Sequence, residues 1–237
     1  MYTPADDAFF AENGYLHLPG ILTGEELTHI QSEFDRVWDL PGQNNQHKLL
    51  QHETFIALIE QPAILAWHRR VFHDQLQLLQ YDFLRQVPGS TFPDRVWHRD
   101  FVFPGDNPLT INTILYLDDM DEERGPTYVV PNTHRGERQP PGDKRCEPLP
   151  GEVAMFAKAG DAAVINSAIW HSGSRNKSAT QKRRAIYLYY GYWWLKRFES
   201  ETTLPWQALQ GASQQRLELL GVKMPHPSIH EYTVATG

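Results

Sequence analysis

The second half of the chain constrains the fold most. From residue 76 onward, "LQLLQYDFLRQV", "RVWHRDFVF", "LTINTILYLDD", "PTYVVP", "DAAVINSAIWH" and "RRAIYLYYGYW" follow one another as short strand-like runs. Gly, Pro, Asn and Asp punctuate them. Runs of that length, so punctuated, predict an antiparallel sandwich or barrel. A Pro-rich segment, "ERQPPGDKRCEPLPGE" (137–152), interrupts the strands. It is longer than most connections and is expected to act as a mobile lid.

The first half reads differently. "NGYLHLPGIL" (13–22) predicts a short strand ended by Pro19-Gly20. In "TGEELTHIQSEFDRVWDL" (23–40), Leu27, Ile30, Phe34, Val37 and Trp38 form one apolar stripe, and Thr23 and Glu26 have capping-box spacing. A second helical region falls within 54–74, with Pro62 at a helix start. A last helix is expected at about 213–220, stopping at Gly221. The expected class is α+β, mainly β: one domain over 1–237, with a helical layer (about 23–74) packed on a β-sandwich (about 76–195).

Composition enters mainly by exclusion. The net charge is -7, and "QKRRA" (181–185) is too short to make a basic stripe, so a nucleic-acid partner is not expected. No apolar run approaches the ~20 residues of a membrane span. The N-terminus lacks the layout of a signal peptide, and a monomeric cytoplasmic protein is the expectation. Cys146 is the only cysteine, which leaves neither a disulfide framework nor a thiolate zinc cluster. Any metal must be held by histidine and carboxylate.

The chain has 11 histidines, and most fit ordinary roles. His68 and His73 are five positions apart, off a common helical face. His17, His29, His47, His52, His226 and His230 have no partner at metal-ligand spacing, and His134 reads as structural. His98 and His171 differ. Each follows a tryptophan on a strand-like run and precedes a turn. His98 and Asp100 share one face of an extended chain. Such a pair alone also fits a strand-end histidine beside a solvated aspartate. A second strand-borne histidine makes two imidazoles and one carboxylate, the facial set of a non-haem iron(II) centre, which leaves open positions for dioxygen and a chelating organic acid. The far carboxylate of a chelator such as 2-oxoglutarate needs a fixed cation, best met by a bidentate arginine. Arg183 and Arg184 open the strand that follows His171.

Four stretches then resemble the phytanoyl-CoA dioxygenase family of iron(II)/2-oxoglutarate oxygenases: "FFAENGYLHLPGILTGEEL", "VPGSTFPDRVWHRD", "LYLDDMDEERGPTYVVPNTHR" and "GDAAVINSAIWHSGSRNKSATQKRRAI". The resemblance spans about residues 9–195. It implies a double-stranded β-helix (jelly-roll, cupin-like) core and iron ligation by His98, Asp100 and His171. It places the family's 2-oxoglutarate-binding arginine on Arg183. Where the family often carries a lysine near the Pro-Gly turn this chain has Gln86, and where it often carries an aromatic on the next strand this chain has Ile114. These two positions are expected to provide the secondary cosubstrate contacts.

Strand alternation selects the same arginine. Arg183, Ala185, Tyr187 and Tyr189 share one face, and Arg184, Ile186, Leu188 and Tyr190 the other. The small Ala185 leaves room for a cosubstrate on the first. The aromatic run "YLYYGYWW" (187–194) is a candidate substrate wall as well as a core strand. The function expected from all this is oxidation of a small-molecule metabolite, by default its hydroxylation, with iron(II), 2-oxoglutarate and dioxygen, giving succinate and CO2. The competing readings are a cupin-type isomerase or zinc hydrolase using the same ligands, and a non-catalytic jelly-roll binding module. A cupin would usually show His-x-His with a following glutamate, and this chain shows His-x-Asp.

Overall fold

The computed structural model describes residues 2–101, 103, 105, 107–196 and 204–225. His226 and His230 lie outside them, as does residue 102 of the expected run "RVWHRDFVF". The elements run α1 (Pro4–Asn13), β1 (Tyr15–Leu18), α2 (Gly24–Trp38), α3 (Gln46–Leu49), α4 (Glu53–Leu58), α5 (Pro62–Phe72), β2 (Leu76–Gln86), β3 (Thr110–Tyr116), β4 (Thr127–Val130), β5 (Val153–Met155), β6 (Ala162–Asn166), β7 (Trp170–Ser172), β8 (Arg183–Tyr192), α6 (Trp206–Leu209) and α7 (Gln214–Leu219). The class is mixed α and β, with every strand pairing antiparallel.

The strands form two sheets, one of five in the order β1-β6-β3-β8-β2 and one of three in the order β5-β4-β7. The run "DAAVINSAIWH" supplies a strand to each. A turn closed by Ile169 N–H donating to Asn166 O at 2.8 Å separates β6 from β7. The chain therefore changes sheet immediately before His171.

Because side chains alternate along a strand, the five-stranded sheet buries two different faces. One carries Leu78, Tyr81, Phe83, Leu115, Val164, Ile186, Leu188 and Tyr190 into a core shared with Phe34 and Val37 of α2, Phe55 and Leu58 of α4, and Ile64, Leu65 and Trp67 of α5. The other brings Ile114, Tyr116, Ala163, Ile165 and Ala185 against Val129 and Met155 of the three-stranded sheet. The core between the sheets is the smaller, and the functional side chains lie along it.

Local departures have local causes. The expected capping box of α2 is absent: Thr23 makes no side-chain cap bond. Gly24 takes φ +53° at the first helical position, so the first turn lacks the geometry that bond requires. A capping box forms instead at α1, a helix the sequence reading passed over, between Thr3 and Asp6 with Pro4 at the first position. The region 54–74 divides into α4 and α5, with Pro62 opening α5. The final helix starts at the Ser213 cap, and Gly221 follows it at φ +66°. Among its described residues the run "RVWHRDFVF" forms no strand. Trp97 N–H donates to Arg145 O, while Asp100 and Phe101 N–H both donate to Ser167 O, so only His98 makes a ladder-like bridge.

Candidate metal centre

His98 and His171 are joined through their backbones. Each donates its N–H to the other's carbonyl at 3.0 Å, which sets their ring centroids 4.1 Å apart. Nδ1 of His98 lies 2.8 Å from Val96 O, and Nδ1 of His171 lies 3.1 Å from Ile169 O. A carbonyl only accepts, so both Nδ1 atoms carry a proton, which leaves Nε2 as the ring atom each histidine can offer to a metal. Both Nε2 atoms point at Asp100, each 3.3 Å from its Oδ1. The ligating atoms of the three residues lie within 4.8 Å of one another, the one such grouping of three among the described residues. Ring N–H groups held by carbonyls are how metal-binding histidines are usually oriented.

The electrostatics follow from burial and pairing. Burial alone would raise the Asp100 carboxyl, but His171 and His98 outweigh it and hold it well below the usual carboxylate range. Burial likewise lowers His171, and the adjacent Asp100 outweighs it, so this imidazole sits above its ordinary value. Side-chain exposure is 41% for His98 but 5% for His171 and 9% for Asp100, so the centre opens to solvent on the His98 side. The other Asp100 oxygen, Oδ2, accepts from Nδ2 of Asn112 on β3 at 3.2 Å.

A cavity of about 230 Å³ adjoins the triad, with His98, His171, Asn112, Ile114, Arg183, Tyr187 and Tyr189 in its wall. Arg183 is 2% exposed. Its Nε faces Met120 Sδ and its Nη1 faces Ser174 O, both at 3.4 Å. Nη2 is buried with no hydrogen-bond partner among the described residues. A buried guanidinium without a carboxylate is costly unless an anion completes it. Two imidazole lone pairs, one carboxylate and this cation form a donor set that fits iron(II) with a bound dicarboxylate. Arg184, next in sequence, meets the opposite environment: Nε and Nη2 bond both Asp118 oxygens at 3.0 and 2.7 Å, and Nη1 reaches Asp35 Oδ2 at 2.9 Å.

Of the residues singled out in the sequence, His98, Asp100, His171 and Arg183 converge. Gln86 and Ile114 also border the cavity, with different capacities. The Gln86 amide is engaged, Oε1 accepting from Asn176 N–H at 2.8 Å and Nε2 donating to Ser174 O at 3.2 Å. Ile114 offers packing only. His68 is fully buried on the other face of the sheet, bonded to Ile64 O and Thr113 Oγ1. His134 is buried against Ala11 O. The expected lid is fastened to the first-ligand segment: Trp97 Nε1 donates to Glu147 O, while Arg99 Nη2 and Trp170 Nε1 both donate to Arg138 O. Asn112 was missed. Its signal was present, since an amide inside the run "LTINTILYL" is unfavourable in a strand without a local partner.

These features define a non-haem iron/2-oxoglutarate oxygenase. The chain belongs to the phytanoyl-CoA dioxygenase (PhyH) family, whose sequence model matches residues 10–185. Family members use iron(II), 2-oxoglutarate and dioxygen, and this chain is a dioxygenase of that kind, an oxidoreductase. Among curated relatives it is 25% identical to the dioxygenase andF of Emericella variicolor, over 76% of this chain and 72% of that one. It is 26% identical to the L-proline trans-4-hydroxylase of Streptomyces griseoviridis, over 57% and 62%. Among solved structures, HygX of Streptomyces hygroscopicus with nickel and 2-oxoglutarate bound superposes with a TM-score of 0.70 at 20% identity, covering 84% of this chain and 90% of that one. The epimerase SnoN in complex with Fe3+, alpha-ketoglutarate and nogalamycin RO gives 0.66 at 21% identity, covering 79% and 82%. The fold is thus that of 2-oxoglutarate oxygenases, the jelly roll.

Proposed function

We propose that His98, Asp100 and His171 hold the iron(II), that Arg183 anchors the far carboxylate of 2-oxoglutarate, and that the enzyme hydroxylates or otherwise oxidises a small-molecule metabolite with succinate and CO2 as coproducts. One observation carries the reading: both imidazole Nε2 atoms converge on a single Asp100 oxygen, beside a buried arginine whose Nη2 has no partner among the described residues. Bound iron(II) supplies the dioxygen activation that couples oxidation of the oxoacid to oxidation of the substrate. The protein's part is placement. Val96 O and Ile169 O fix the imidazole tautomers. Arg183 orients the cosubstrate from the cavity wall, where Ile114 adds an apolar side chain.

The substrate enters on the His98 side, where Phe92 is 46% exposed at the cavity wall and the Tyr187 and Tyr189 side chains line the way in. L-proline trans-4-hydroxylase, and HygX and SnoN with hygromycin B and nogalamycin RO respectively, support a metabolite or natural-product substrate over an acyl chain. The rest of the architecture follows the same reading: one domain over 1–237, with the helices of 23–74 layered on the far face of the five-stranded sheet. The deciding experiment measures succinate release across a panel of amino acids, glycosides and acyl thioesters, with iron added anaerobically. Stoichiometric zinc with no 2-oxoglutarate turnover would overturn the proposal.

A further inference from the structure

Asp100 has two carboxylate oxygens with separate surroundings. Oδ1 faces both imidazoles at 3.3 Å. Oδ2 faces away and accepts from Asn112 Nδ2 at 3.2 Å. We propose that Asn112 is a positioning residue that holds Asp100 as a one-oxygen metal ligand. The inference rests on the metal-centre assignment above and goes beyond the three ligands.

The physical case begins with the freedom of a carboxylate. The last torsion of an aspartate is broad, so the group alone would present either oxygen, or both, to a cation. Both oxygens on the metal would occupy one of the three positions that two histidines and a carboxylate leave free. A bidentate oxoacid and dioxygen need all three. A fixed N–H donor on Oδ2 removes that alternative, and a neutral amide does so without repelling the cation as lysine would or competing for it as a second carboxylate would.

Asn112 is rigid enough for the task. It lies on β3, with Ile165 of β6 paired to it on one side and Tyr189 of β8 on the other, and it is 1% exposed. Its Oδ1 is buried with no partner among the described residues. The amide is therefore not placed by a network of its own; its one side-chain bond among the described residues is the one to Asp100. A buried amide that leaves its acceptor unmatched is destabilising, which makes a purely structural origin for this strand-interior asparagine hard to sustain.

The test uses full-length protein freed of metal, with Asn112→Ala and Asn112→Ser, the second polar but too short to reach Oδ2. Fe(II) is titrated anaerobically, and the visible charge-transfer absorption of the Fe(II)–2-oxoglutarate complex is recorded at saturating metal. The expected result is an Fe(II) affinity about 10–100-fold weaker than wild type, the usual effect of losing a group that orients a ligand. The absorption maximum should shift while the melting temperature of the metal-free protein stays put. Altered packing alone would move the melting temperature and leave the band where it was. Variants that fold and bind Fe(II) within about twofold of wild type, with an unmoved band, would overturn the proposal. A wild-type protein that binds no iron, or an Asp100→Ala protein that binds it as tightly as wild type, would instead defeat the metal-centre assignment.

Discussion

The two faces of the five-stranded sheet receive neighbouring residues and treat them oppositely. On β8, Arg184 points to the helix-covered face and is fully paired with Asp118 and Asp35, whereas Arg183 points between the sheets with Nη2 unmatched. On β3, Thr113 bonds His68 at 3.0 Å on the covered face, whereas Asn112 bonds Asp100 and keeps an unmatched Oδ1. On the first face the protein itself satisfies the polar side chains that the strands contribute, Arg184 and Thr113, although Trp67 Nε1 of α5 has no partner among the described residues. The second keeps Arg183 Nη2 and Asn112 Oδ1 buried without a partner among the described residues. In a fold that pairs its buried polar atoms by default, that asymmetry marks the working side of the sheet.

The comparison breaks most severely at the metal centre. Alanine at His98, Asp100 or His171 removes one of the three proposed ligands, and iron content and turnover should both fall to background, while alanine at the exposed His29 should leave metal content unchanged. Anaerobic metal analysis decides this. On the covered face the expected loss is of stability. Arg184→Ala strands Asp118, whose side chain is 10% exposed. Breaking such a buried pair costs about 3–5 kcal/mol, with the lower end expected because Asp35 keeps Lys182 and Arg85. Denaturant titration measures it, and the KM for 2-oxoglutarate should hardly move.

His68 sharpens the comparison by pH. Burial pushes it down to about 4, against ~6.5 in the unfolded chain. The folded state keeps it neutral, so its contribution is fully present above pH ~6.5 and is lost as pH falls towards 4. The loss amounts to roughly 3 kcal/mol. His68→Phe should flatten that part of the stability curve. A wild-type stability that stays level from pH 6.5 to 4.5 would contradict it.

The smallest effects belong to Arg183 and are kinetic. Arg183→Ala should raise the KM for 2-oxoglutarate about tenfold or more, at ~1.4 kcal/mol per decade. Arg183→Lys should recover part of it, keeping the charge but losing the fork. Little stability should be lost in either case. A large KM effect at 184 with none at 183 would reverse the assignment of the two faces.

Much of this division was legible in the sequence because it depends on alternation, which a strand cannot evade. The different surroundings of Arg183 and Arg184 follow from the register of "RRAIYLYY", whereas the pairing of His98 with Asp100 needed more than spacing, since their segment is irregular and a second histidine had to join them. What stayed hidden depends on partners from irregular chain. Asn112 gains its meaning from Asp100, which sits on a segment whose N–H groups go to Arg145 and Ser167 rather than to a ladder. The lid expectation failed to anticipate the bonds from Trp97, Arg99 and Trp170, because a tryptophan or arginine in sequence does not show which carbonyl it will reach. The α2 capping box failed on the backbone angle of a single glycine, Gly24.

The mutual backbone bonds between His98 and His171 carry a consequence for assembly. Closing that contact joins segments far apart along the chain, which incurs the entropy of a long loop before any binding can reward it. The unfolded chain therefore does not hold these two imidazoles together for an ion to grip. Once the strands have condensed, both rings are already in place and the ion needs no rearrangement to enter. If His98 and His171 hold the ion as proposed, metal supplied during refolding should leave the folding rate unchanged and slow only unfolding.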